Sequence, residues 1–136
     1  MYVTAVCGVL DVEARTVMFA TAGHEPPVLV RSDGHAEPLE TEGGGVLGLM
    51  EIGDYPVTGR TLDTGDALVM YTDGVSEAQN REGGFFGAER LLEATSRSAA
   101  GTAAAITTGL LQEVNAFAAD APQSDDITML ILKYFG

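Results

Sequence analysis

The sequence predicts an α+β fold, because strand patterns fill the first half of the chain and helical patterns come late. Residues 2–10 are rich in β-formers, and residues 16–21 follow a turn as the second strand of a hairpin. Residues 87–97 and the segment after Thr102 carry apolar side chains every three or four positions. A last apolar run covers residues 127–134. Strands, two helices and a final strand are the order typical of α+β domains.

Three further strands are predicted between this hairpin and the helices, at residues 28–31, 57–62 and 67–72. Pro26 and Pro27 exclude a helix before the first of them, because proline fixes φ and lacks a backbone N–H. The turn at residues 63–66 leads into the last one. Thr102 is expected to cap the second helix. Its buried stripe should be Ile106, Leu110, Val114 and Phe117.

The composition describes one acidic domain. The chain has 136 residues, and 46% of them are hydrophobic, which is enough for a core. Its 20 acidic residues outnumber the 7 Lys plus Arg, so the formal net charge is −13. This balance argues against binding nucleic acid or anionic membrane through a basic surface. No apolar run is long enough to predict a membrane span, and the amino terminus lacks a signal-peptide pattern.

Cys7 is the single cysteine of the chain. A lone thiol cannot form an internal disulfide, which favours a reducing, cytoplasmic location. Because Cys7 lies in an apolar, strand-like stretch, we expect it to be buried and structural rather than catalytic.

Two acidic segments lie at the boundaries of apolar strands. Residues 70–74 (Met-Tyr-Thr-Asp-Gly) end one strand, and residues 123–128 (Gln-Ser-Asp-Asp-Ile-Thr) precede another. If these strand ends are neighbours, two carboxylates about 4 Å apart repel by on the order of 4 kcal/mol at an effective dielectric near 20. A divalent cation reverses the sign of that energy, and oxygen ligands suit magnesium or manganese. The sequence therefore predicts part of a metal site.

The chain resembles the metal-dependent serine/threonine protein phosphatases (PPM-type, protein phosphatase 2C superfamily). The motifs that carry the likeness are residues 71–78 (Tyr-Thr-Asp-Gly-Val-Ser-Glu-Ala), 86–87 (Phe-Gly) and 125–128 (Asp-Asp-Ile-Thr). It is most similar to the bacterial branch typified by stage II sporulation protein E and the sigma-factor-regulating phosphatases. Earlier segments agree in the same order, namely residues 1–5, 22–27 and 45–49.

The resemblance implies stacked antiparallel β-sheets flanked by α-helices, with two metal ions in a cleft between sheet edges. Residues 1–136 would be the carboxy-terminal part of the phosphatase domain. The family's amino-terminal half supplies further aspartates, in a Gly-Asp segment and an Asp-Val-Ser-Gly-like segment. Because this chain contains neither, the fold is expected to be incomplete at its amino-terminal side and the fragment to be inactive alone.

The same resemblance assigns roles to individual residues. Asp73 and Asp125 are the expected ligands of Mg²⁺ or Mn²⁺. Gly74 would let the chain turn away from the ions, and Asp126 would act by hydrogen bonding rather than by direct ligation. Glu77 is interpreted as structural.

The other polar residues are assigned non-catalytic roles. His24 is expected to orient the loop at residues 23–27, since the family's candidate acid histidine belongs to an earlier segment. His35 should be solvated. The Gly-rich residues 42–45 lack the Gly-Lys-Ser/Thr ending of a phosphate-binding loop and are interpreted as a flap near the cleft. No serine has the context of a hydrolase nucleophile.

The implied activity is hydrolysis of phosphoserine or phosphothreonine on a regulatory protein, such as an anti-sigma-factor antagonist, without a covalent phosphoenzyme. An upstream sensory domain is expected in the full-length protein, and a homodimer is possible through unpaired strand edges. Two alternatives remain. One is a non-catalytic pseudo-phosphatase that serves as an interaction module, and the other is a structural calcium- or magnesium-binding domain, for which no EF-hand spacing is present.

Overall fold

The computed structural model describes residues 1–49 and 54–136, and it has the predicted α+β fold. The strands are β1 (Ala5–Asp11), β2 (Thr16–Ala22), β3 (Val28–Val30), β4 (Ala36–Pro38), β5 (Thr58–Thr61), β6 (Ala67–Tyr71) and β7 (Met129–Lys133). The helices are α1 (Asp73–Ser76), α2 (Gly87–Arg97) and α3 (Ala103–Ala118).

The strands form two antiparallel sheets. One has the order β1-β2-β5, and the other has the order β4-β3-β6-β7. The β1–β2 hairpin is the one predicted from the sequence, with Ala5 opposite Ala22 and Asp11 opposite Thr16. In the second sheet β6 is central, and Tyr71 at its end pairs with Met129 of β7. The last strand of the chain therefore lies directly beside the strand that leads into Asp73.

The central strands β3 and β6 of the second sheet are buried on both faces, between the helices and the first sheet, which makes three layers. Alternate residues of β3 and β6, such as Val28 and Val69, face the helices, where they join a core with Phe86, Leu91 and Ile106. The intervening side chains face the first sheet and form a second core: Val17, Phe19, Leu29, Leu39, Leu62, Leu68 and Tyr134. This alternation follows from the period of two in a strand.

The two long helices begin and end close to their predicted limits. α2 covers the predicted residues 87–97, and α3 starts one residue after Thr102, whose side-chain oxygen accepts a hydrogen bond from the Ala105 N–H at 3.1 Å. Ile106, Leu110 and Val114 are fully buried, as the periodicity predicts. Phe117 packs partly against this core, and its ring meets that of Phe86 edge to face.

Two short elements, β4 and α1, were not predicted from the sequence. β4 has three residues and is defined by its pairing with β3. α1 is a single turn that starts at Asp73 and buries Gly74 and Val75. Such short elements depend on tertiary contacts, because one turn of helix is not stable by itself. β1 also begins later than predicted, at Ala5 rather than Tyr2.

The prediction that Cys7 is buried is wrong, because its side chain is exposed. Val6, Gly8 and Leu10 of β1 line the space between the two sheets, so Cys7 and Val9 point to the opposite face. The helices pack on the other sheet, and the outer face of β1 stays open to solvent. The apolar stretch in the sequence predicts this strand, but it does not predict which face of the strand packs against other elements.

A buried ion pair joins the β5–β6 turn to the end of β3. The Asp66 side chain is 1% exposed, and it accepts hydrogen bonds from Arg31 Nη1 at 2.7 Å, from Ser32 N at 3.1 Å and from Asp63 N at 2.9 Å. These donors satisfy the carboxylate in a site that excludes water. Asp66 therefore holds the turn that precedes β6 in one conformation.

The space between the sheets is a partly open apolar cavity of about 290 Å³, lined by residues that include Leu10, Phe19 and Leu130. β1 and β7 are the terminal strands of their sheets in the part of the chain that the structure describes. Within the same part, no helix is long and apolar enough to cross a bilayer.

Candidate metal centre

Asp73 is positioned by the junction between β6 and α1. β6 is held between β3 and β7, so its end at Tyr71 is fixed by the sheet. Thr72 follows in extended conformation and begins the helix, which makes Asp73 the first residue of the helical turn. The Asp73 side chain is exposed. Its carboxylate is therefore held on a fixed backbone and faces an open surface.

The second acidic segment is hydrogen-bonded to this junction through Thr72. The Thr72 Oγ1 donates to the Asp126 carbonyl at 3.0 Å and accepts from the Thr128 N–H at 3.0 Å. The Thr72 N–H donates to the Thr128 carbonyl, also at 3.0 Å. Residues that are more than fifty positions apart in the sequence thus lie next to each other.

Gly74 makes this close approach possible. A Cβ placed on Gly74 would overlap the Asp126 carbonyl oxygen and would lie 3.5 Å from the Asp125 carbonyl carbon. Any side chain here would push the 125–126 backbone away from α1. The glycine is needed for space, since its φ does not lie in the left-handed region.

Asp125 and Asp126 are both exposed, and their carboxylates differ in local contacts. Asp125 Oδ1 accepts a hydrogen bond from the Asp126 N–H at 2.7 Å, which limits the rotation of its side chain. Asp126 contributes through its backbone carbonyl, the acceptor of the Thr72 hydroxyl. The structure therefore brings together the backbones that carry Asp73, Gly74, Asp125 and Asp126.

Glu25 is a further acidic residue of this region that the sequence analysis missed. It lines a small cavity of about 70 Å³ together with Thr4, Gly23, His24, Thr72 and Asp73. Burial, and then the charges of Asp73 and Glu77, raise the pKa of Glu25 above its ordinary value of 4.5, while His24 lowers it. The acidic residues of the loop after β2 and of α1 therefore share one electrostatic environment.

No pattern in the sequence pointed to Glu25, because its position depends on how the two sheets stack. Its loop ends β2 in one sheet, and Asp73 ends β6 in the other. The one available signal was its place in the Gly-His-Glu-Pro-Pro segment, which belongs to the family likeness. The same environment affects Tyr71, since burial, followed by the charge of Glu25, raises the pKa of Tyr71 to about 12.

His24 is held by a hydrogen bond between its Nδ1 and Thr4 Oγ1, at 3.0 Å. This contact ties the loop after β2 to the segment before β1, so a ring nitrogen does help to orient the loop. The Gly-rich segment lies close by, because the Gly23 N–H donates to the Gly44 carbonyl at 3.0 Å. His35, as expected, is exposed in its turn.

The donor set fits a hard divalent cation, because it consists of carboxylate oxygens beside an open edge. In the described ranges, however, no three or more His, Cys, Asp or Glu side chains are arranged to hold one ion. The chain's own residues can thus supply a part of a coordination sphere.

Comparison with known proteins identifies the class. The family model of stage II sporulation protein E (SpoIIE) matches residues 1–135. Protein IcfG of Synechocystis sp. is 34% identical over 131 residues, which are 96% of this chain and 20% of that protein. Phosphoserine phosphatase RsbU of Bacillus subtilis is 31% identical over 84 residues, which are 61% of this chain and 25% of that protein.

Solved structures agree with the fold. The RsbU and RsbW domains of Rv1364c from Mycobacterium tuberculosis match with a TM-score of 0.78 at 28% identity, over 97% of this chain and 36% of that one. The SiaA-PP2C domain of Pseudomonas aeruginosa matches with a TM-score of 0.84 at 23% identity, over 98% of this chain and 52% of that one.

The chain belongs to the stage II sporulation protein E family, and its fold is similar to that of a solved PP2C domain. It spans about a fifth to a quarter of the length of the curated relatives it matches.

Proposed function

We propose that this chain is part of the catalytic domain of a metal-dependent phosphatase that hydrolyses phosphoserine or phosphothreonine on a regulatory protein. The observation that carries the proposal is the hydrogen-bonded junction at Thr72, which joins the Asp73 and Asp125–Asp126 segments. Membership in the phosphatase family supports the same reading. Carboxylates carried by neighbouring backbone segments are the kind of oxygen ligands that a divalent cation such as Mg²⁺ takes.

In this proposal Asp73 and Asp125 would hold Mg²⁺ or Mn²⁺ in a two-metal site. Gly74 keeps the two segments close, and Asp126 positions them through its carbonyl. When bound, the ions would lower the pKa of a water molecule and neutralise charge on the phosphoryl oxygens. The protein contributes rigidity, because β6 and α1 fix the backbone of Asp73, and the Thr72 hydroxyl holds the Asp126 carbonyl next to it.

We further propose that residues 1–136 form the carboxy-terminal part of the domain, with the remaining ligands supplied from another segment. The described residues bring together fewer than three candidate ligands around one point. Alone, the chain should therefore bind divalent ions weakly and have no phosphatase activity.

For the substrate we propose a phosphorylated anti-sigma-factor antagonist in the cytoplasm, with an upstream sensory domain that gates activity. Two comparisons support this choice. One relative is named as the phosphoserine phosphatase RsbU, and another carries RsbU and RsbW domains in one chain.

The metal assignment is tested with Asp73→Asn and Asp125→Asn in the full-length protein. Each substitution should lower the rate of phosphate release by at least about 10–100-fold, because loss of a residue that only supports a metal ligand already costs that much. The measurement is release of phosphate from a phosphoprotein with and without Mn²⁺. Asp33→Asn, in an exposed turn, is the control and should keep full activity.

The second candidate function is a non-catalytic interaction module that keeps the fold without hydrolysis. The incomplete set of ligands in the described residues favours it. The same assay separates the two, because a full-length protein that releases no phosphate with either Mn²⁺ or Mg²⁺ would be the pseudo-phosphatase. An Asp73→Asn variant with an unchanged rate would remove Asp73 from the metal site.

A further inference from the structure

Two neighbouring cavities form a groove beside the proposed metal centre. One, of about 180 Å³, follows the end of α3 and includes Ile127 in its lining. The other, of about 530 Å³, lies between residues 79–83 and residues 120–124. Both cavities are lined by Gln79 and by residues 121–124, so they are continuous. We call the two together the loop groove.

Each wall of the loop groove leads directly into a segment that carries a proposed metal ligand. Ser124 lines both cavities and is followed by Asp125, whose carbonyl accepts a hydrogen bond from Gln123 Nε2 at 2.7 Å. On the other wall, Gln79 lies shortly after α1, the helical turn that begins at Asp73. A polypeptide that lies in the groove is therefore directed toward both aspartates.

The wall before α2 is a turn with a fixed backbone. The Asn80 N–H donates to the Gly84 carbonyl and the Gly83 N–H donates to the Asn80 carbonyl, both at 3.0 Å. The Asn80 Oδ1 accepts from the Gly84 N–H at 2.8 Å and from the Glu82 N–H at 3.1 Å. Arg81 lies within this turn, so the backbone that carries its guanidinium is held in place.

The side chains of the loop groove suit a polypeptide better than a small molecule. Small-molecule sites are mostly enclosed and apolar, whereas this groove presents the polar groups of Gln79, Gln123 and Ser124 among small apolar side chains. Phe85 pairs with Gln79 across the turn, which places both side chains on one face, and Phe85 is 55% exposed. Aromatic and arginine side chains are enriched where proteins recognise one another.

Arg81 reaches across the groove and forms an ion pair with Asp120 on the opposite wall. Among the described residues, Arg81 is the one basic side chain that lines either cavity. The side chains of the pair are 71% and 59% exposed, and such a pair is weak because water solvates both charges. A carboxylate on a docked polypeptide can therefore replace that of Asp120, and the planar guanidinium suits it because it can donate two parallel hydrogen bonds.

We propose that the loop groove binds the substrate segment next to the phosphorylated residue, and that Arg81 selects an acidic side chain there by exchanging Asp120 for it. The inference rests on the proposed function. The formal net charge of −13 disfavours acidic substrates at long range, but charges more than about 8 Å away are largely screened at physiological ionic strength. The direct contact with Arg81 therefore decides the preference for a docked segment.

The test uses two peptides of equal length that carry a non-hydrolysable phosphonate in place of phosphoserine, one flanked by glutamate and the other by glutamine. Fluorescence anisotropy measures their binding to the full-length protein with Mn²⁺. Arg81→Gln should raise the Kd of the glutamate peptide by about three- to fivefold, the range for one exposed ion pair, and leave that of the glutamine peptide unchanged. Arg97→Gln, on α2, removes another exposed, ion-paired arginine and should change neither Kd.

Asp120→Asn separates this role from that of a structural tie between the two loops. If the ion pair only holds the loops together, loss of either partner has the same effect on binding. If Arg81 contacts the substrate, Asp120→Asn frees the guanidinium and should lower the Kd of the glutamate peptide by about twofold, opposite in sign to the effect of Arg81→Gln. The inference is overturned if the two variants change this Kd equally or not at all, or if Arg81→Gln affects both peptides alike.

Phosphate release from the phosphoserine forms of the same peptides distinguishes failure of this inference from failure of the proposed function. With Mn²⁺, Arg81→Gln should raise KM for the glutamate peptide and leave kcat unchanged, since Arg81 contributes to binding and not to the chemical step. A wild type that binds as predicted but releases no phosphate would reject the hydrolytic function and retain the groove as a binding site. A wild type that releases phosphate, with no peptide preference altered in Arg81→Gln, would retain the function and reject the groove.

Discussion

At the scale of single residues, the region around Asp73 is defined by like charges with few counterions. Glu25 is half-buried and faces Asp73 and Glu77, and the nearby His24 ring partly offsets their charges. A protein without bound metal must therefore tolerate repulsion here. That repulsion is the physical reason to expect that cation binding stabilises this edge of the fold.

Glu25→Gln should stabilise the metal-free chain at neutral pH. The folded-state pKa of Glu25 is raised above 4.5, so the folded state binds its proton more tightly than the unfolded chain does. Its contribution is thus most favourable below pH 4.5 and is lost as the pH rises through the folded-state pKa. We expect the variant to gain a few tenths to about 1 kcal/mol at pH 7, the range for partly exposed charges.

Urea unfolding at pH 4 and pH 7 with EDTA measures this difference. The gain should be present at pH 7 and absent at pH 4, where the wild-type carboxyl is mostly protonated. Glu82→Gln, in an exposed turn, is the matched control and should change stability at neither pH. A Glu25→Gln variant that is less stable than wild type at pH 7 would contradict the repulsion argument.

At the scale of elements, the sequence predicts the helices that carry a periodic apolar pattern. It does not predict the short elements that depend on tertiary contacts. α2 and the start of α3 follow from local signals, namely the apolar stripe and the Thr102 cap. β4 and α1 have no such signals, since pairing with β3 and the burial of Val75 define them. The acidic motifs were visible in the sequence, but the contribution of Glu25 depends on the stacking of two sheets.

Asp66→Ala should strongly destabilise the link between the β5–β6 turn and β3. The substitution leaves Arg31 without its partner and removes the acceptor of two backbone N–H groups. Loss of one partner of a buried pair costs about 3–5 kcal/mol. Thermal or urea unfolding measures the loss. Asp63→Ala, an exposed residue of the same turn, should cost far less, and equal costs for both would contradict the role of the buried carboxylate.

At the scale of the whole molecule, two terminal strands flank an open apolar cavity. β1 and β7 each pair on one side only among the described residues, and Leu130 on β7 is 64% exposed. Exposed strand edges with apolar side chains favour association. The family resemblance implied two stacked sheets, and the structure has them. The strand patterns in the sequence did not predict which face of each strand is buried, and the exposed Cys7 is an example.

The isolated 136-residue chain should therefore self-associate at micromolar concentration, and Leu130→Glu should reduce this association by adding charge to the open edge. Sedimentation velocity over a concentration series measures it. Leu111→Glu, on the exposed side of α3, adds the same charge away from the cavity and should have little effect. A monomer at all concentrations would contradict the prediction.

The Thr72 junction also has a consequence for the order of synthesis on the ribosome. The Asp126 carbonyl and the Thr128 N–H, which bond to Thr72, are translated more than fifty residues after it. A nascent chain that has not reached Thr128 can pair β1 with β2, but it cannot close the junction beside Asp73. The proposed metal centre can therefore assemble only after the segment that leads into β7 has been made.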